Sequence, residues 1–218
     1  MRELTKATPK PMLVIAGKTL IEHKLDALPP SIDEVVILVG YMGNQIVEYF
    51  GDAYKGKRIR YVYTDRLEGT AQGLWETRHL LDGKFLVMMG DDLYSAKDIH
   101  SCLSHDWAVL VEKVVAPKRG ARVHVDGRGS IKSIEENTTL DVGMYNNAGL
   151  YVLGTDIFNY PLVRIPSGEY GLPQTLIQLA TKHALSVVEA TEWHQVTAPE
   201  DLVRLEALFS DHGAESYR

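Results

Sequence analysis

Two adjacent carboxylates, Asp91 and Asp92, follow the apolar run Phe85-Leu-Val-Met-Met89 and a glycine, Gly90. Five consecutive apolar residues predict a strand buried on both faces of a parallel sheet. The carboxylates then fall at its carboxyl end, where open α/β sheets bind ligands. A carboxylate there has two readings: the N-cap of a following helix, or an oxygen ligand for a hard cation such as Mg2+ bridging to a substrate phosphate. The residues alone favour the cap for Asp92 and leave both readings open for Asp91. Lys10 lies between Pro9 and Pro11, which hold the backbone extended. It reads either as a solvated linker lysine, the simpler reading, or as a cation presented at a fixed angle to an anionic ligand. Glu68-Gly-Thr-Ala-Gln-Gly73 feeds a helix. Glycines there let a ligand reach free backbone N–H groups, although the same residues make an ordinary turn. Asn146-Asn-Ala-Gly149 offers the paired donors and acceptors that sugar hydroxyls need, and equally suits a turn.

The elements that must position these groups alternate in the first half. After a polar, proline-punctuated loop over residues 1–12 come a short apolar piece, Met12 to Ile15, and a helix over Thr19 to Leu28 with Leu20, Ile21, Leu25 and Leu28 on one stripe. A buried strand is expected over Glu34 to Val39, an amphipathic helix over Asn44 to Phe50, and a strand nearer a sheet edge over Ile59 to Tyr63. A helix over Leu74 to Leu81 and the acidic strand follow. Strand and helix in alternation predict a parallel α/β sheet. The second half changes character, with a strand over Ala108 to Val115 and an antiparallel hairpin over Gly120 to Ile134 around Asp126-Gly-Arg-Gly129. Strands over Leu150 to Leu153 and Leu185 to Ala190, and helices over Gly171 to His183 and Pro199 to Phe209, complete it. A single domain is expected over 1–218, with halves at about 1–107 and 108–209 and a polar tail over 210–218.

Composition narrows the function classes. The chain has 218 residues, 45% hydrophobic and 24% charged, with a net charge of −6, so it reads as an ordinary globular protein. No basic run with interleaved aromatics suggests a nucleic-acid partner. No apolar stretch approaches a membrane span, and the amino terminus is unlike a signal peptide. The lone Cys102 excludes an internal disulfide, reads as a small apolar filler and fits a reducing compartment, so a cytoplasmic location is expected. Homo-oligomerisation is left open.

Taken in order and spacing, the motifs resemble one family, the sugar-1-phosphate nucleotidyltransferases, which include glucose-1-phosphate thymidylyl- and uridylyltransferases and mannose-1-phosphate guanylyltransferases. Leu4-Thr-Lys-Ala-Thr-Pro-Lys-Pro-Met12 resembles the latter part of the family signature, continuing into Gly17-Lys-Thr-Leu-Ile-Glu-His23. Gly40-Tyr41, Gly69-Thr-Ala-Gln72, Gly90-Asp-Asp92, Glu136, Asn147-Ala-Gly-Leu-Tyr151, Gly168-Glu-Tyr170 and Trp193 through Asp201 fall where that family has comparable motifs. The resemblance covers nearly the whole chain. It implies a Rossmann-like three-layer (GT-A-like) α/β fold, with a mixed, mostly parallel sheet and a small antiparallel hairpin region. It also implies Mg2+-dependent transfer: a sugar 1-phosphate attacks the α-phosphorus of a nucleoside triphosphate, giving NDP-sugar and pyrophosphate. Such chemistry rests on positioning and charge neutralisation rather than on a covalent nucleophile. By similarity Lys10 neutralises phosphate charge and Asp91 holds Mg2+, together catalytic. Gly69, Thr70 and Gln72 line the base site, while Gly120, Glu136, Asn147 and Gly149 contact the sugar phosphate. Gly69-Thr-Ala-Gln resembles uridylyl- and thymidylyltransferase loops, which points to UTP or dTTP.

Departures from the pattern are equally informative. The family signature opens with a central strand and a glycine-rich loop of the form Gly-x-Gly-Thr-Arg-Met, and Met1 matches only the last residue of that loop. A start assigned inside the gene, or a shortened protein, is the expectation. Asn137 stands where the family has a lysine that grips the sugar phosphate, and Lys132 could reach that position from the hairpin. Gln195 stands where the family has a second metal-binding aspartate; an amide oxygen can still ligate Mg2+ but brings no charge. Thr197 replaces a common glycine nearby. The alternative function is therefore a non-catalytic relative that binds sugar nucleotides or serves as a partner subunit.

Overall fold

The structure, a computed structural model, describes residues 3–66, 68–127 and 129–211; most of the polar tail expected over 210–218 lies outside the described residues. In chain order come a 3-10 turn at Lys10–Met12, strands β1 (Val14–Ile15) and β2 (Lys18–Thr19), helix α1 (Leu20–Ala27), β3 (Glu34–Val39), α2 (Gly43–Phe50), β4 (Ala53–Tyr54) and β5 (Lys57–Tyr63). Then follow α3 (Thr70–Thr77), β6 (Lys84–Met88), β7 (Asp92–Tyr94), α4 (Ala96–Leu103) and β8 (Ala108–Lys113). The rest comprises β9 (Lys118–Val125), β10 (Ile131–Leu140), β11 (Tyr145–Gly154), α5 (Leu172–Leu176), β12 (Ser186–Glu189), β13 (Trp193–Gln195) and α6 (Pro199–Asp211). Two compact units result: Met1–Asp65, Met89–Ile99 and Glu192–Arg218 form the first, and Arg66–Met88 with His100–Thr191 the second.

In the first unit, α1 starts at a capping box. Thr19 accepts a hydrogen bond from the Glu22 N–H, while the Glu22 side chain accepts from the Thr19 N–H, so two helix-end donors are satisfied. Leu20 of the α1 stripe joins a core with Ile15, Leu93, Val196, Leu205 and Phe209. Strands β3 and β5 pair in parallel, with β4 antiparallel on the far side of β5. Strand β4 covers only Lys57 and Arg58, so over Ile59 to Tyr63 strand β5 has β3 as its one pairing partner among the described residues, which agrees with a strand nearer a sheet edge.

The second unit carries a sheet in the order β10, β9, β11, β8, β12, with β6 pairing β11. Only β8 and β12 are parallel there; β11 returns from the preceding hairpin and so runs antiparallel to β9, β8 and β6. The α/β class and the mixed sheet agree with the sequence, but the mostly parallel character does not: among the described residues only β3–β5 and β8–β12 pair in parallel, because the second half is built from hairpin-connected strands.

Several local expectations are corrected. Strand β6, expected to be buried on both faces, and β3, expected to be buried, are largely half-buried; each has a single pairing partner among the described residues. Asn146 to Gly149 is not a turn. It lies inside β11, where the register against β8 shifts between Asn147 and Tyr151, and Gly149 takes φ +73° to allow it. The helix expected over Gly171 to His183 is only α5 followed by a 3-10 segment, Ile177–Thr181. The helix after the glycine loop begins at Thr70 rather than Leu74 and gives way to a 3-10 turn at Arg78–Leu80. Lys10 opens a 3-10 turn instead of an extended linker. No helix among the described residues is long and apolar enough to cross a membrane.

Candidate functional site

The first unit gathers its candidates around Asp91. Lys10 Nζ donates to Asp91 Oδ2 at 2.6 Å, with both side chains partly exposed. The solvated-linker reading of Lys10 gives way to a positioned cation on a half-open carboxylate. Strands β7 and β13 pair with Gln195 opposite Asp92, and the Val196 N–H donates to the Asp91 carbonyl at 3.1 Å. The backbone of exposed Gln195 is thereby held beside the two carboxylates.

Asp92 is not a helix cap. It begins β7 and is buried, and α4 is instead opened by Ser95, whose hydroxyl accepts from the Asp98 N–H at 3.1 Å. Burial, and next the Asp91 charge, push the Asp92 carboxyl up to about 7. Its Oδ1 has no partner at hydrogen-bonding geometry among the described residues. The Trp193 and Tyr94 side chains and the Lys24 charge favour the ionised form more weakly than those two effects oppose it.

Lys24 is the residue that sequence reasoning missed. Its ammonium is fully buried and donates to the Met89 carbonyl at 3.2 Å and to the Gly90 carbonyl, the two peptides that precede Asp91. Burial pushes it down to about 8, opposed by Asp91 and Asp92. The signal was present in the sequence: Lys24 lies four residues from both Leu20 and Leu28, a charge on the apolar stripe of α1.

The remaining candidates belong to the second unit. Gly69 caps α3 at φ +105°, and a Cβ there would lie 2.5 Å from the Tyr170 carbonyl oxygen. The Ala71 N–H donates to that carbonyl at 3.0 Å, and Thr70 Oγ1 accepts from the Leu172 N–H at 3.0 Å. The glycine loop is therefore tied to the start of α5, and Gln72 stands half-buried in the first turn of α3. Gly120 has an internal reason to be glycine, since a Cβ would overlap the Asn146 carboxamide oxygen and crowd Leu140. Asn146 Oδ1 accepts from the Ala121 N–H at 3.0 Å, and its Nδ2 donates to Glu112 at 3.1 Å.

The next residue, Asn147, donates Nδ2–H to the Tyr151 hydroxyl at 2.7 Å and accepts from the Gly149 N–H at 3.2 Å, so its carboxamide is anchored at both ends. Glu136 and Asn137 occupy a bulge where β10 shifts register against β9, with Asn137 at φ +57°. Glu136 is exposed and accepts from Gln174 Nε2 at 3.2 Å; Lys132 is exposed on the same strand. Cys102 is buried, as its filler reading expects.

The chain thus has a mixed α/β fold with a lysine–carboxylate pair in the first unit and a glycine-capped helix in the second. Comparison with known proteins sharpens that class. A family model for nucleotidyl transferase matches residues 1–211, and the chain belongs to the nucleotidyl transferase family. It is 27% identical over 214 residues to a bifunctional protein GlmU of Methanocaldococcus jannaschii, covering 97% of this chain and 52% of that protein. The chain spans about half the length of the GlmU relatives it matches. Identity is also 27% over 214 residues with the UTP–glucose-1-phosphate uridylyltransferase AglF of Haloferax volcanii, covering 92% and 88% of the two chains. Among solved structures, one from Bacillus anthracis assigned as a glucose-1-phosphate thymidylyltransferase superposes with a TM-score of 0.82 at 23% identity, covering 97% of this chain and 90% of that one. The inositol-1-phosphate CTP transferase from T. maritima gives 0.75 at 16% identity, covering 99% and 91%. These structural likenesses establish the fold.

Proposed function

We propose that the chain is a sugar-1-phosphate nucleotidyltransferase using UTP or dTTP. A phosphate oxygen of the sugar 1-phosphate attacks the α-phosphorus, the bond from that phosphorus to the β-phosphate oxygen breaks, and pyrophosphate leaves with NDP-sugar as product. The observation that carries the reading is the 2.6 Å contact of Lys10 with Asp91. It places a cation and a half-open carboxylate together, the pair that crowded phosphates and their metal require. Lys10 then exchanges the Asp91 carboxylate for a phosphate oxygen and neutralises its charge. Gly69, Thr70 and Gln72 receive the base, and Glu136, Asn147, Gly120 and Gly149 orient the sugar phosphate.

The donor set fits Mg2+. Asp91 and Gln195 offer oxygen, the donor type that Mg2+ takes, and Mg2+ keeps several waters and is completed by substrate phosphates. When bound, the ion supplies Lewis acidity toward the phosphates. Asp91 and Gln195 would hold it, and Lys24 would keep the preceding turn rigid. A cytoplasmic setting, where nucleoside triphosphates are abundant, accords with the lone buried thiol.

The test is product analysis with UTP and dTTP against a panel of hexose 1-phosphates and Mg2+. The reading expects NDP-sugar and pyrophosphate in equal amounts. Binding of NDP-sugar with no product from any pair would assign the chain to the non-catalytic alternative.

A further inference from the structure

The bulge that carries Glu136 is held from two sides. Arg119 donates to the Asn137 carbonyl at 2.6 Å, which fixes its backbone. Gln174, the third residue of α5, donates Nε2–H to Glu136 Oε1 at 3.2 Å, which fixes its carboxylate. The carboxylate can only accept, so the amide nitrogen must face it and Gln174 Oε1 must face inward. That oxygen is buried with no hydrogen-bond partner among the described residues. An orphaned buried acceptor costs stability, and leucine would fill nearly the same volume without it.

The surroundings are shaped for this side chain. Gly171 has φ −83°, which any residue adopts, yet a Cβ there would collide with Gln174 Oε1 and lie 2.9 Å from both Gln174 Cδ and Ile165 Cγ2. Gly171 is glycine for room, and the room is taken by the amide.

We propose that Gln174 is a positioning residue for sugar-phosphate recognition: it holds Oε1 of Glu136 so that Oε2 is presented to a hydroxyl of the sugar 1-phosphate. This rests on the function proposed above and extends it to a residue outside the expected binding set. It acts through Glu136 and does not itself touch substrate.

The experiment is a double-mutant cycle read on each substrate separately. Gln174→Leu raises KM for the sugar 1-phosphate about tenfold, the worth of one charge-assisted hydrogen bond, while KM for the triphosphate stays within about twofold. In a Glu136→Ala background, Gln174→Leu has no further effect, because the carboxylate it positions is gone. Thermal stability of Gln174→Leu is unchanged or higher, which separates positioning from loss of fold. An equal rise in both KM values, or the same rise in the Glu136→Ala background, overturns the inference while leaving the proposed function standing. A wild-type chain that turns over nothing is put through the same cycle on NDP-sugar affinity by calorimetry. A Gln174→Leu loss that depends on Glu136 upholds the inference for the binding alternative; absence of any sugar-nucleotide binding removes both.

Discussion

Replacing Lys24 by methionine isolates the energetic cost of the buried ammonium behind Asp91. Burial brings this amine from an ordinary 10.5 to about 8. That difference of about 2.5 pH units, at about 1.4 kcal/mol per unit, is a cost to stability of about 3.5 kcal/mol when the amine is charged, of which about 3 kcal/mol is relieved by pH 10.5. Below pH 8 the ammonium is charged in the folded and the unfolded chain alike, and the full cost of burying it is present. Between pH 8 and 10.5 the unfolded chain holds a proton that the folded chain has released, so stability rises with pH across this window. Methionine keeps the volume of the stem and cannot titrate. At pH 7.5 the variant escapes the burial cost but leaves the Met89 and Gly90 carbonyls without their donor, so the two effects partly offset.

The informative quantity is the slope rather than the level. Urea denaturation followed by tryptophan fluorescence at intervals from pH 7.5 to 10.5 should show wild type gaining about 3 kcal/mol on Lys24→Met over the window. Asp92, raised to about 7 and sensitive to the Lys24 charge, is removed from the comparison by repeating it in an Asp92→Asn background. Parallel curves for wild type and Lys24→Met in both backgrounds would show that the amine is hydrated, and would refute the description of a buried clamp.

Other substitutions test the supports of the site. Gly69→Ala must place a side chain at φ +105° with its Cβ 2.5 Å from the Tyr170 carbonyl; unfolding free energy should fall by at least about 3 kcal/mol, measured by urea denaturation. Thr19→Ala removes one half of the α1 capping box and should cost about 1 kcal/mol, whereas Thr19→Ser should cost a few tenths at most by the same measurement. Leu205→Ala, fully buried in the core of the first unit, should lower stability by about 2–5 kcal/mol, read as a drop in Tm.

The legible parts of the fold were those that local chemistry decides. Thr19 before an apolar stripe marked the start of α1, and Asp126 and Gly129 the turn of the β9–β10 hairpin, where the Gly129 N–H donates to the Asp126 carbonyl at 3.1 Å; Arg128 of that motif lies outside the described residues. The illegible parts depend on distant partners. Asn146-Asn-Ala-Gly149 has turn composition, yet pairing with β8 draws it into β11, and the positive φ of Gly149 absorbs the irregularity. The apolar runs of β3 and β6 look like buried core, and only the pairing shows that each has one strand neighbour among the described residues. At the site, Lys10 and Asp91 are 81 residues apart, and their 2.6 Å contact was anticipated only through the family resemblance. Gly120 illustrates the opposite case: its motif position suggests a ligand, while its contact with Asn146 supplies a packing reason as well. Lys24 could have been found from its place on the stripe of α1, because a charge among Leu20, Ile21, Leu25 and Leu28 demands a buried partner.

The most direct test of the central claim is pyrophosphate release, with UTP or dTTP, sugar 1-phosphate and Mg2+, by wild type and by Asp91→Asn. Asparagine keeps the shape of residue 91 while removing the charge that Lys10 and a metal require. The account predicts that wild type releases pyrophosphate only when both substrates are present. It also predicts that Asp91→Asn loses on the order of 100-fold or more in kcat while folding normally. Equal release by the two proteins would remove Asp91 from the chemistry, and no release by wild type with any substrate pair would contradict the transferase reading itself.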